Sequence, residues 1–114
     1  MFKESSVYDA SNLLFPDSVI YEDGLSEMFK DCKQLKFGPT HLPANVLFDY
    51  AYKNMFYGCS NLVLGPSKLE AQFVGNQAYY GMFEGCSKLS NIIKLRAAHD
   101  VPYAVPVYVS TVDS

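Results

Sequence analysis

The sequence predicts an α/β repeat fold, a short solenoid with one helix and one short strand in each 27-residue repeat, capped by an extended C-terminal strand. Three observations predict it. Met28-Phe29, Met55-Phe56 and Met82-Phe83 recur 27 residues apart. Cys32, Cys59 and Cys86 keep the same spacing, and so do Leu35, Leu62 and Leu89. Met1-Phe2-Lys3-Glu4-Ser5 also stands in phase with Met28-Phe29-Lys30-Asp31-Cys32. A fixed period of roughly 20–50 residues marks a stacked-repeat architecture, in which neighbours bury the flank that no single unit can hide. The 114 residues are read as one repeat domain. Residues 1–27 form a degenerate first repeat or cap, 28–96 the core repeats, and 97–114 a C-terminal cap.

The middle repeat gives the expected elements in order. Leu42-Pro43-Ala44-Asn45 opens it, with Pro43 just ahead of a helix and Asn45 as its N-cap. The spacing predicts a helix over 46–56. Leu47, Ala51 and Met55 fall at i, i+4 and i+8, and Phe48, Tyr52 and Phe56 form a second apolar column beside them. The other repeats supply Ile20, Gly24 and Met28, and Val74, Ala78 and Met82, with a small residue always in the middle. Asp31, Gly58 and Gly85 then occupy the phase where a left-handed residue ends a helix. A short strand is expected at Leu35-Lys36-Phe37 and at Leu62-Val63-Leu64, with Lys36 and Val63 facing out. Gly38-Pro39 and Gly65-Pro66 turn the chain. After Leu89 the pattern drifts: Asn91 takes a buried apolar phase, and Ile92-Ile93-Lys94-Leu95 slides out of register. Val101 to Val112 alternates as an extended segment, and Pro102 and Pro106 confine it to an edge.

Composition narrows the function classes. The chain is 49% hydrophobic and 18% charged, as a globular domain is. Its apolar runs are too short to span a bilayer, and a net charge of −3 weighs against a nucleic-acid partner. The cluster Lys30, Lys33 and Lys36 is interrupted by Asp31 and reads as a solvated face. The three cysteines sit at one repeat phase, so a buried thiol column is expected rather than a disulfide framework or a metal site. No cofactor is expected.

The run Met55-Phe56-Tyr57-Gly58-Cys59-Ser60-Asn61-Leu62, repeated at Met82 to Leu89, resembles the leucine-rich repeats of the BspA-like bacterial surface proteins. Leu42-Pro43-Ala44 looks like the longer variant found in gut-bacterial surface proteins and their phages. The resemblance covers about residues 12–96. It implies adhesion or protein binding at a cell surface or outside the cell, with no catalytic residues. A secretory leader is absent from these residues, so location follows from the resemblance alone.

Three function classes are weighed. The first is a non-enzymatic protein- or glycan-binding module. Lys36, Val63 and Ser90 would face out on the strand side, and Tyr50, Lys53, Tyr57 and Tyr80 on the helix side. The second is a structural or assembly component, a phage tail or capsid part or a piece of a longer array, associating through the ends of the stack. The third is an enzyme built on Cys86, His99 and Asp100, a set matched in composition only. Burial of Cys86 would leave that thiol inert, and His41 and His99 lie in loop-like stretches.

Overall fold

A computed structural model describes residues 6–91 and 93–96, apart from the Leu95 side chain, together with the backbone of 109–111. Its strands are β1 (Val19–Ile20), β2 (Val46–Leu47), β3 (Lys68–Leu69), β4 (Phe73–Val74), β5 (Ile93–Leu95) and β6 (Val109–Thr111). They form two three-stranded sheets, ordered β1-β2-β4 and β3-β5-β6, and every pairing is parallel. In the first sheet Val19 pairs with Val46 and Val46 with Phe73, so the 27-residue period becomes a strand register.

No helix forms among the described residues, which corrects the expected α/β solenoid with a helix in each repeat. The segment expected to be helical in the middle repeat begins as β2 and continues as a train of turns over 49–58. Equivalent trains occupy 22–31 and 76–85. The result is a compact globule, 32 × 26 × 23 Å in extent.

The hydrogen bonds explain why the turns replace a helix. In the first train alternate amides bond locally. Gly24 N–H donates to Tyr21 O (2.8 Å) and Ser26 N–H to Asp23 O (3.2 Å). The amides between them donate to the next repeat: Leu25 N–H to Ala51 O (2.9 Å) and Phe29 N–H to Met55 O (2.8 Å). The second train repeats the arrangement, with Tyr52 N–H on Ala78 O (2.9 Å) and Phe56 N–H on Met82 O (2.9 Å). An α-helix would spend all these amides on its own carbonyls. Here half of them tie each repeat to its neighbour.

The price is left-handed backbone every fourth residue. Asp23, Glu27 and Asp31 have φ of 57°, 59° and 58°, and Tyr50, Asn54 and Gly58 follow at 61°, 54° and 75°. Asn and Asp tolerate this region better than most residues, and Gly tolerates it best. Gly81 (φ 64°) also lies against the Asn54 side chain, where a Cβ would collide with the amide oxygen.

Stacking creates columns of like side chains. Phe29, Phe56 and Phe83 are fully buried, with ring centroids 5.4 and 5.6 Å apart and planes within 1° and 5° of parallel. Tyr52 lies over Tyr79 at 6.1 Å. Cys32, Cys59 and Cys86 make a third column: Cys59 Sγ donates to Phe29 O (3.0 Å) and Cys86 Sγ to Phe56 O (3.1 Å).

The expected strands at 35–37 and 62–64 are reduced to isolated bridges, Asp9 with Phe37 and Phe37 with Leu64. Leu35 and Leu62 are buried as expected, but Leu64 faces out, 44% exposed. The drift after Leu89 is a one-residue shortening. Phe37 pairs with Leu64, 27 residues on, whereas Lys68 pairs with Lys94, 26 residues on. Asn91 bridges the mismatch with its side chain. Gly38 N–H donates to the main-chain oxygen of Leu64 (2.7 Å), but the equivalent Gly65 N–H donates to Asn91 Oδ1 (2.9 Å). Asn91 Nδ2 returns the bond to Gly65 O (3.3 Å). At the C-terminal end β6 adds in parallel to β5. The rest of the expected cap over 97–114, with His99 and Asp100, lies outside the described residues.

Two variants check this account. Asn91→Ala removes the acceptor of a buried main-chain amide, which costs about 1–3 kcal/mol. Gly81→Ala adds about 1–2 kcal/mol of left-handed strain to the collision with Asn54. Both should lower the urea midpoint, whereas Ser87→Ala on the exposed surface should leave it unchanged.

Candidate functional site

Alternation in the β1-β2-β4 sheet divides interior from surface. Ile20 and Leu47 point into the core, with Val74 packed against it, while Val19, Val46 and Phe73 point the other way. Tyr21 and Phe48, two residues beyond Val19 and Val46, share that outer face. Tyr21 is 66% exposed, Phe48 46% and Phe73 59%. The Tyr21 and Phe48 rings meet at 5.2 Å with planes tilted by 56°. Scattered exposed apolar groups are normal, but here a Tyr21–Phe48 pair and, across the groove in the Val46 column, Phe73 expose three aromatic rings on one face.

A groove of about 370 Å³ runs along this face between Phe48 and Phe73. Gly75 forms part of its lining, in the column of Tyr21 and Phe48. Any Cβ at Gly75 would lie 2.6 Å from the Phe48 carbonyl carbon and 2.7 Å from Asp49 N, so only glycine lets the chains approach there. Glu22 and Asp49 are the polar side chains of the groove lining. Asp49 Oδ1 accepts a hydrogen bond from Asn76 N–H (2.8 Å), which fixes that carboxylate beside the aromatics.

The expected recognition residues fall in two other places. Lys36, Val63 and Ser90 form one column: Val63 N–H donates to Lys36 O (2.9 Å) and Ser90 N–H to Val63 O (3.0 Å). Val63 is half-buried there, and the Lys36 ammonium sits 5.7 Å from the Phe37 ring centroid. Tyr50, Lys53, Tyr57 and Tyr80 lie on the turn trains, all half-buried. Three of them come together, the Lys53 ammonium lying 5.3 Å from the Tyr50 ring and 5.8 Å from the Tyr80 ring. Tyr57 is set apart, with Lys30 over its ring at 5.4 Å. The protein's own lysines therefore occupy the tyrosine faces that a partner would need.

Tyr21, Phe48 and Phe73 were not among the expected recognition residues. Phe48 is assigned to the core by the helical spacing, and a helix would have put it there. The signal that separates it is the triplet alternation Val19-Ile20-Tyr21, Val46-Leu47-Phe48 and Phe73-Val74-Gly75.

Cys59 and Cys86 are held neutral. Burial pushes Cys86 up to about 12, against a backbone hydrogen bond from Cys59 that lowers it. Burial, reinforced by the neighbouring Cys86, moves Cys59 upward too. A neutral, buried thiol is a poor nucleophile.

Comparison with protein-family models, with curated proteins and with solved structures finds no match.

The raised thiol and phenol values fix a pH dependence. Burial also moves Tyr52 and Tyr79 above the usual phenol range. Unfolded, Cys86 loses its proton from about pH 9 upward, while the folded protein keeps it until about 12. Over that window the unfolded state binds fewer protons, so stability falls as pH rises, by about 1.4 kcal/mol per unit for each such group. Urea midpoints should be flat from pH 7 to 8.5 and drop steeply by pH 10.5. Cys86→Ala should make the drop shallower.

Proposed function

We propose that this chain is a non-enzymatic recognition module that takes a protein or glycan partner on the outer face of the β1-β2-β4 sheet. The observation that carries this reading is the exposure of Tyr21, Phe48 and Phe73 on one face of three repeats, with a groove rimmed by carboxylates between Phe48 and Phe73. Aromatic side chains bring a large apolar area at little conformational cost, which is why they dominate recognition surfaces. The parallel ladder beneath fixes the main chain that carries these rings, which lowers the backbone ordering that would oppose binding. The column of Lys36, Val63 and Ser90 lies elsewhere on the surface, where the aromatic pair is Tyr8 and Phe37, 5.8 Å apart with the Lys36 ammonium already over the Phe37 ring.

An assembly role is the second reading. It draws on β1, which is the outer strand of its sheet, because an open strand edge is a template for pairing. Sedimentation over a wide concentration range separates the two, since end-to-end assembly grows with concentration.

The combined variant Tyr21→Ala, Phe48→Ala and Phe73→Ala should melt within a few degrees of the parent. It should lose binding on a glycan array and to a displayed random-peptide library. Tyr50→Ala, Tyr57→Ala and Tyr80→Ala together should retain it. The opposite pattern would move the site to the turn trains, and a parent with no ligand on either screen would defeat the proposal.

A further inference from the structure

We propose that the occupant of the Tyr21–Phe48–Phe73 face is an extended, basic segment of a protein partner. It would lie along β1, with Lys or Arg side chains against Glu22, Asp23 and Asp49. This rests on the sheet face being the recognition surface, and three observations carry it further.

The first is charge. Asp17 precedes β1, Glu22 and Asp23 follow it, and Asp49 follows β2; all four are exposed. None of the four joins an ion pair among the described residues. The acids that do are Glu27, with Lys30 at 3.5 Å, and Asp31, with Lys33 at 3.7 Å, further along the train. Uncompensated carboxylates around an apolar surface select a cationic partner and steer its approach.

The second is the character of the groove. Its polar side chains are Glu22 and Asp49, which accept hydrogen bonds and donate none at neutral pH. A guanidinium or ammonium on a segment beside β1 satisfies them by reaching across the face and also lies well against the Tyr21 and Phe48 rings.

The third is the strand edge. Ser18 O and Ile20 O accept from Val46 N–H (3.1 Å) and Phe48 N–H (2.9 Å), so both are turned toward β2. Parallel pairing turns the intervening Val19 amide and carbonyl outward. Among the described residues nothing pairs with that side of β1. An added strand takes its affinity from such main-chain groups and its specificity from alternate side chains.

The test uses three fluorescent decapeptides: alternating Arg and Val, alternating Glu and Val, and the Arg–Val peptide with alternate main-chain amides methylated. Anisotropy titrations of the whole chain should show salt-sensitive binding of the Arg–Val peptide and none of the Glu–Val peptide. Methylation should weaken binding about tenfold, and so should the joint variant Glu22→Gln, Asp23→Asn and Asp49→Asn. Asn at 49 keeps an acceptor for Asn76. Glu84→Gln, on the third turn train, should change nothing. Equal binding by the charge-neutral variant, or equal binding of the methylated peptide, would overturn the proposal. So would a glycan-array signal that disappears in the Tyr21, Phe48 and Phe73 triple variant while the Arg–Val peptide fails to bind; that result would leave the recognition face itself intact. Arg–Val binding unaffected by the aromatic triple variant would defeat both.

Discussion

The rest of this structure depends on one constraint: every second amide of the turn trains points along the stack rather than along its own segment. Asp23, Leu25, Glu27, Phe29 and Asp31 each donate to the repeat that follows. A buried main-chain amide left without a partner is costly, so the neighbour must present a carbonyl at each step. That requirement locks adjacent repeats into one register and forbids sliding by a residue. The stacked phenylalanines, the paired tyrosines and the thiol column are consequences of the register as much as causes of it.

The same constraint explains the distribution of unusual residues. Alternating local and cross-repeat bonds demands a left-handed residue at each fourth position, and those positions hold Asp, Glu, Asn, Gln, Tyr or Gly but no β-branched side chain. At two of the stacked left-handed pairs the side chain of one residue needs the room above the other. Asp31 lies over Gly58, and Asn54 over Gly81, where a second Cβ has no space. Asn91 belongs to the same logic. When the third repeat loses a residue, its amide side chain supplies the acceptor and donor that the shortened main chain no longer offers to Gly65.

Much of this was legible in the sequence, and the failure is instructive. The 27-residue period, the buried positions of Leu35, Leu62 and Leu89, and the inward thiols could all be read from recurrence, because stacking places equal phases in equal environments. The helix could not be trusted on the same grounds. Columns at i, i+4 and i+8 fit a helix only loosely, since a period of 3.6 drifts by about 40° at each step of four. A turn unit of four residues fits them without drift. The discriminating signal lies in residues that tolerate left-handed backbone or form helices poorly: Asp23 and Asp31, then Asn54 and Gly58, recur at multiples of four within and at the ends of the expected helices. The misplaced helix also hid the candidate site, because it turned Phe48 inward and left Tyr21 without an aromatic neighbour.

The two faces now differ in a way that favours one of them for recognition. On the turn trains, Lys53 is held between Tyr50 and Tyr80, and Lys30 covers Tyr57, so cations and rings there satisfy one another. On the sheet face, rings and carboxylates stand together, and among the described residues no ion pair or cation–ring contact involves them. A partner must break existing contacts to use the first surface, whereas it only completes missing ones on the second. With a net charge of −3 the chain also attracts cations from a distance, and the acids flanking β1 direct that attraction to the strand whose outer edge is open. Electrostatic approach, the Tyr21–Phe48 pair and main-chain pairing therefore meet at the β1 side of the sheet, and under the proposed reading it is this convergence, more than the area of the patch, that would set selectivity.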